Sequence, residues 1–542
     1  MKTIYENAKV YTGELPLAEA FVVEDGKFLF AGSCEEAHLL AGADSETVDL
    51  GGNFVCSGFI DSHMHLLSYG NMLRTARLAE HTESLSGMLS YMKRFLDDHP
   101  VSDGEWFYGR GWNHDYFTDE KRMPERSDLD KVSNTVPICA VRACGHCLVV
   151  NSKALELLGL DETVVQPEGG SIGFTNGKLN GLFFDNAMDI VYNAMPPLGL
   201  REVMDRIREA CRALNAYGVT GSQTDDYCFS RRIPWQTINE AYRRLKESGE
   251  LTVRIYQQSN FTSLKEYKEF VEAGNKTGVG DDLFRIGPLK MLGDGALGSR
   301  TAFLSRPYAD DPTTCGFPVF SQETMDEMVD YANENDQQIA IHTIGDACLD
   351  MVLNSYEKAL LRHPRKDHRL GIVHCQISRP DQLEKIKKLG LHVYAQSIFL
   401  DYDNHIVEQR VGKELASTSY NWKTLMKNGV SVSNGTDCPV ELPNVMACMQ
   451  CAVTRTTLHD NVGPYLPDQA FTVKEALDSY TCRSAEASFD EKIKGRIRKG
   501  MLADFVVLGE DPFEVDQNAI KDIPILATYL GGKKVYSSDH LE

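Results

Sequence analysis

From about residue 54 to residue 433 the chain alternates short apolar runs with stretches whose apolar residues recur every three or four positions. Runs of about four to eight apolar residues bounded by turn signals read as buried strands, and a recurrence near 3.6 reads as a helix with one buried face. The predicted strands are Phe54–Ile60, Val219–Gln223, Val253–Gln258, Phe284–Leu289, Gln338–Ile341, Leu370–Val373, Leu391–Ala395 and Val430–Ser433. Helical stretches fall between most of them: Arg201–Tyr217, Leu264–Ala273, Gln322–Asn335, Leu349–Leu361, Asp381–Leu389 and Asn421–Lys427. Eight strands with intervening helices predict an α/β fold, a (β/α)8 TIM barrel over residues 58–492, with site residues just after the strand C-termini.

Both ends of the chain have a different pattern. Lys2–Glu6, Lys9–Tyr11, Ala20–Val23 and Phe28–Ala31 read as strands near the start, and Phe505–Leu508, Ile523–Leu530 and Lys534–Ser537 near the finish. Neither group is large enough to bury a core alone, so residues 1–57 and 493–542 together are expected to form a small β-sandwich domain. The stretch from about 66 to 200 is too long for one crossover, and it is expected to be an insertion over the barrel mouth, carrying Trp106, Arg110, Trp112 and His114.

Charge narrows the set of partners. The chain has 78 acidic and 56 basic side chains, a net charge of −22, so phosphate backbones and anionic lipid surfaces repel it. A small-molecule substrate is expected, with neither nucleic acid nor membrane as a partner. No basic segment followed by an apolar run opens the chain, and no apolar stretch approaches the roughly 20 residues that span a bilayer. The 14 cysteines are scattered and read as reduced thiols in a cytoplasmic protein. Cys144 and Cys147 have CxxC spacing, but a zinc ribbon is not expected.

The candidate chemistry begins at Gly58-Phe59-Ile60-Asp61-Ser62-His63-Met64-His65. Alternate strand residues point the same way, so His63 and His65 project together, half of a transition-metal site. The fourth strand ends at Lys290, the fifth at His342 and the sixth at His374, while the eighth leads to Asp437. A lone strand-end histidine is more often structural. Histidines on three barrel strands with a carboxylate on a fourth are not explained that way.

These segments resemble the amidohydrolase superfamily, and within it the branch called amidohydrolase family three, which includes N-substituted formamide deformylases. The resemblance rests on Gly58–Leu66, Arg142–Leu155, Leu289–Ala302, Ile341–Cys348, Ile372–Gln376, Ser433–Val440 and Lys499–Pro512. It implies that His63, His65, His342, His374 and Asp437 are metal ligands for one or two divalent ions, with zinc the default. It also matches Lys290 to a lysine that many members carboxylate with carbon dioxide to bridge two metals. An ammonium at Lys290, binding substrate or paired with Asp294, is the alternative, although like-charge repulsion disfavours it beside two cations.

The resemblance implies a non-peptide carbon–nitrogen hydrolase acting on an amide, formamide or cyclic amide. A bound divalent ion lowers the pKa of its water from 15.7 to roughly 7. Asp437, His374 and His342 are the expected catalytic residues, Asp437 as proton carrier and the histidines beside the scissile carbonyl. Arg142, His146, Asp185, Asp294, Arg300 and Tyr420 are the expected substrate-binding residues. For Arg142 the plainer reading is an ion pair with a neighbouring acid, and for Asn151 or Ser152 a helix cap. Tyr420 and Trp422 read equally as buried aromatics. Asp185 stands where the branch commonly has glutamate, and Gln223 where histidine is frequent. Rival functions are deamination or carbon–oxygen hydrolysis on the same site, or binding without catalysis. Exposed barrel helices commonly pair, which leaves a homodimer open.

Overall fold

The computed structural model describes residues 1–102, 104–167, 169–230 and 232–538. Two compact units are present, one made of Tyr69–Arg206 with Arg232–Thr237 and the other of the remaining chain.

The larger unit holds an eight-stranded, all-parallel sheet in sequential order. Its strands are β1 (Phe59–Met64), β2 (Val219–Thr224), β3 (Arg254–Asn260), β4 (Phe284–Leu292), β5 (Ile339–Thr343), β6 (Gly371–His374), β7 (His392–Ala395) and β8 (Val432–Asn434). No ladder joins β8 to β1 among the described residues, so the barrel is nearly closed. The seam is drawn together just past β8, where the Asp437 N–H donates to His63 O (2.9 Å) and the His65 N–H to Cys438 O (2.7 Å). All seven residues of β3 are buried, including Gln257, Gln258, Ser259 and Asn260 at its C-terminal end. The C-terminal ends of the strands are the end of such a barrel that carries its chemistry.

Each expected strand is present to within a few residues except the first. Phe54–Ile60 is not one strand. Phe54–Ser57 pairs with Phe505–Leu508 and Lys9–Val10 in a second sheet, and the chain crosses into the barrel at Gly58 to begin β1. A continuous apolar run carries no mark of a change of sheet, because both halves are buried on both faces. The expected helices also form. Gln322–Glu334 starts at Ser321, whose hydroxyl accepts the Thr324 N–H, and Pro380–Leu389 has proline at its first turn and Gly390 at φ 64° after its last.

The termini build a four-stranded sheet (Lys27–Gly32, Ala20–Glu24, Lys2–Glu6, Glu46–Asp49) and a five-stranded one (Lys9–Val10, Phe54–Ser57, Phe505–Leu508, Ile525–Leu530, Lys533–Ser537). Tyr5, Phe21, Phe28, Phe505 and Tyr529 are packed in one apolar cluster drawn from both sheets. Tyr5 stacks on Phe21 at 4.8 Å and Phe505 on Tyr529 at 4.2 Å between ring centroids. These sheets fall in the same compact unit as the barrel. Helix Cys34–Ala41 and strand Glu46–Asp49 were not anticipated, and positions 539–542 of the expected β domain lie outside the described residues.

The smaller unit covers the expected insertion and has a sheet of its own. Its six strands, in spatial order, are Gly170–Thr175, Lys178–Asp185, Cys147–Val150, Ile138–Arg142, Phe107–Trp112 and Ala76–Arg77. Ile138 and Ala140 belong to one apolar cluster and Cys139 and Val141 to another, so both faces of the central strand are buried. Among the described residues no helix is long and apolar enough to cross a membrane.

Candidate metal centre

His63, Lys290, His342 and His374 stand at or near the C-terminal ends of β1, β4, β5 and β6; His65 follows β1, and Asp437 lies three residues beyond β8. His374 (φ 75°), Cys375 (φ 51°) and Asp437 (φ 57°) adopt left-handed backbone conformations, costly for residues with a Cβ and concentrated at functional sites. Neighbours hold them there. The Trp422 indole N–H donates to His374 O (2.9 Å), and the Cys375 N–H to Thr343 O (3.0 Å).

The inner nitrogens converge. Asp437 Oδ1 lies 3.3 Å from His63 Nε2 and 3.1 Å from His65 Nε2, and His374 Nε2 is 2.8 Å from His342 Nδ1. One ligand atom each from His63, His374 and Asp437 lies within 4.8 Å of the others, a spacing that can hold a metal ion.

The outer nitrogens explain why the inner ones are available. His63 Nδ1–H donates to Gln258 Oε1 (2.7 Å), His65 Nδ1–H to Asp225 O (2.9 Å), His374 Nδ1–H to Gln396 Oε1 (2.7 Å) and His342 Nε2–H to Gly295 O (3.0 Å). Each bond places the proton on the outer nitrogen and leaves a lone pair facing the cluster. Burial, then the Lys290 charge, pushes the His342 imidazole down to about 3, and burial, then His342, holds His374 well below its ordinary value. Neutral imidazoles are the form that binds a cation.

Lys290 is fully buried, and its Nζ has no hydrogen-bond partner. Its nearest acid is Asp225, at 3.7 Å, rather than Asp294. Asp225 is also fully buried; Oδ2 accepts from Asn260 (2.8 Å) and Oδ1 has no partner. Orphaned polar atoms at this depth are costly unless something else satisfies them. A bound divalent ion fits this donor set.

The other expected residues are placed as follows. Asp294 is buried and adjoins the centre 3.5 Å from His342 Nε2. Its carboxylate accepts the N–H groups of Phe303 (2.9 Å), Ile344 (3.0 Å) and Gly345 (2.8 Å), tying the loop after β4 to the loop after β5. Burial pushes this carboxyl up to about 6 despite those bonds. Arg300 pairs with Asp310 at 2.9 Å. Tyr420 is fully buried, with its hydroxyl donating to Asp403 (2.7 Å) and accepting from Gln376 (3.1 Å). Arg142, His146 and Asp185 belong to the smaller unit. There Arg142 pairs with Asp115 (2.8 Å), His146 Nδ1 lies 3.1 Å from Asp185 Oδ1, and Asn151 caps helix Ser152–Leu158. Arg142 thus has the ion pair, and Asn151 the helix-capping contact, that the plainer reading of each expects. Gln223 donates to Ser484 O (2.8 Å).

Asp225, Gln258 and Gln396 were missed. They sit near the ends of β2, β3 and β7, strands that carry none of the expected metal ligands. All three lie within two residues of a barrel strand's C-terminus, so reading every polar residue there would have found them.

Comparison with known proteins identifies the family. N-substituted formamide deformylase of Arthrobacter pascens is 26% identical over 543 residues, covering 98% of this chain and 97% of that one. YtcJ of Bacillus subtilis (strain 168) is 31% identical over 542 residues, covering 99% of each chain. A crystal structure described as an uncharacterized metal-dependent hydrolase from Pyrococcus furiosus aligns with TM-score 0.77 at 27% identity, over 95% of this chain and 100% of that one. The sequence model described as the amidohydrolase family matches residues 46–536. With its fold, its strand-end histidines and this match in agreement, the chain belongs to the amidohydrolase family.

Proposed function

We propose that this protein is a metal-dependent hydrolase that cleaves a non-peptide carbon–nitrogen bond in an amide, formamide or cyclic amide. One observation carries the reading: four histidines each have the outer N–H tied to a carbonyl oxygen, with the inner nitrogens of His63, His65 and His374 near Asp437 and that of His342 2.8 Å from His374 Nε2. Similarity to a formamide deformylase along nearly the whole chain favours carbon–nitrogen bonds over other hydrolysable ones.

His63, His65, His342, His374 and Asp437 would hold one or two divalent ions, zinc first among them, with Lys290 carboxylated to bridge a pair. When bound, such an ion supplies an acidified water and an electrophile for the substrate carbonyl. The chain's own groups do the rest. Asp437, whose Oδ1 lies 3.3 and 3.1 Å from the inner nitrogens of His63 and His65, would take the proton of the attacking water and return it to the departing nitrogen. His342 and His374 stay neutral and fixed in orientation. Arg142, His146, Asp185 and Arg300 are the side chains offered for substrate recognition, while Asp294 and Tyr420 act through the loops they brace.

The test is metal analysis of the purified protein combined with a hydrolysis screen of N-formyl, N-acyl and cyclic amides. Asp437→Asn should retain substrate binding and lose about 10²–10⁴-fold in turnover. Lys290→Ala should lose bound metal. Full metal content and activity in Lys290→Ala, or undiminished turnover in Asp437→Asn, would remove those residues from their roles. Release of ammonia from a ring-bound amine would replace amide cleavage with deamination.

A further inference from the structure

The CxxC pair of the smaller unit takes no part in the site described above. Cys144 lies in the turn joining strands Ile138–Arg142 and Cys147–Val150, and Cys147 is the first residue of the second strand. The turn is tight: the Gly145 N–H donates to Arg142 O (3.0 Å), with Gly145 at φ 74°, where a side chain would be strained. Cys144 is exposed and Cys147 is 3% exposed. Cys144 Sγ accepts the His146 N–H at 3.5 Å. Arg142, anchored by Asp115 (2.8 Å) and Asn113 (2.9 Å), brings its guanidinium beside the same sulfur.

We propose that Cys144 and Cys147 are a dithiol that exchanges with external disulfides, Cys144 as the attacking sulfur and Cys147 as the resolving one. A thiolate is the nucleophile in such exchange, and it forms where hydrogen-bond donors and positive charge face an accessible sulfur. Cys144 has both. The His146 N–H and the Arg142 guanidinium, against slight burial, lower its pKa; burial, then the Cys144 charge, pushes Cys147 up to about 12. One sulfur is thus ready to attack and its partner stays protonated until displacement begins, the division of labour that exchange requires.

The same spacing recurs at Cys448 and Cys451, within helix Val445–Thr454. Both are buried, and burial raises both thiols, so this second pair serves as an internal control.

The ligand class is a small disulfide RSSR, such as oxidised glutathione. Cys144 attacks one sulfur, forming a mixed disulfide and expelling one thiol. The Cys147 sulfur then attacks Cys144, closing the intramolecular disulfide and expelling the second. Two protein thiols are oxidised, RSSR is reduced to two RSH, and the two thiol protons leave with them. Closure withdraws Cys144 from the His146 N–H and the Arg142 guanidinium, so oxidation alters the hairpin tip that carries both residues.

Full-length protein held in oxidised glutathione, quenched by alkylation and mapped by mass spectrometry, tests this. The expected product is a Cys144–Cys147 disulfide with Cys448 and Cys451 still reduced. Cys144→Ser, an exposed change, should abolish it, and Cys147→Ser should accumulate glutathione on Cys144. The proposal is overturned if Cys144 and Cys147 remain thiols, if Cys448–Cys451 oxidises first, or if the wild-type protein stops at the mixed disulfide.

Discussion

Gln258 and Gln396 each present a side-chain oxygen 2.7 Å from the Nδ1 of a histidine at the centre, His63 and His374 respectively. Gln258 is itself held, its amide N–H donating to Ser62 O at 3.1 Å. Such partners fix the imidazole ring and its tautomer, and their loss typically costs 10–100-fold in metal affinity, roughly. Gln258→Leu and Gln396→Leu should each weaken metal binding by about that factor in competition with a chelator. Unchanged affinity would show that packing alone orients the rings. The two classes of residue differ in how legible they are. A histidine at a strand end draws attention because few residue types bind a cation, whereas a glutamine there is chemically ordinary.

At the scale of elements, the crossing at Gly58 is the sharpest constraint. A Cβ at this position would lie 2.3 Å from Thr220 Oγ1 and 2.5 Å from Thr220 Cγ2, on the neighbouring strand β2. Gly58→Ala should destabilise the protein by about 1–3 kcal/mol in denaturant unfolding, as overpacking in close contact does. Thr220→Ala in the same chain should recover part of that loss, because the two nearest atoms are then removed. Additive effects of the two substitutions would exclude the proposed contact. Periodicity and composition located eight strands, yet Phe54–Ile60 was read as one. Register and sheet membership depend on which backbone lies alongside, and an apolar run says only that something does.

For the whole molecule, the terminal sheets and the barrel are joined by a buried ion pair. Arg254 of β3 donates to both oxygens of Asp504 at 2.6 and 2.8 Å, and the Gly531 N–H donates to the same carboxylate at 2.8 Å. Both side chains are under one-tenth exposed. Asp504→Ala leaves a buried guanidinium uncompensated and should cost about 3–5 kcal/mol, measured by equilibrium unfolding. Replacing both residues with apolar ones of similar size should cost less than the single change. A loss below about 1 kcal/mol for Asp504→Ala would mean that water reaches Arg254.

The sequence by itself determined the alternation of strands and helices, the pairing of both termini in β structure, and the residue types that can bind a cation. Those follow from local period and side-chain chemistry, which need no knowledge of what lies across the fold. Only the tertiary structure decided that Asp225 rather than Asp294 is the acid nearest Lys290, and which nitrogen of each histidine faces inward. The bond that orients His63 comes from a glutamine 195 residues along the chain. A contact of that separation is set by barrel closure, a property of the assembled sheet that no stretch of sequence contains.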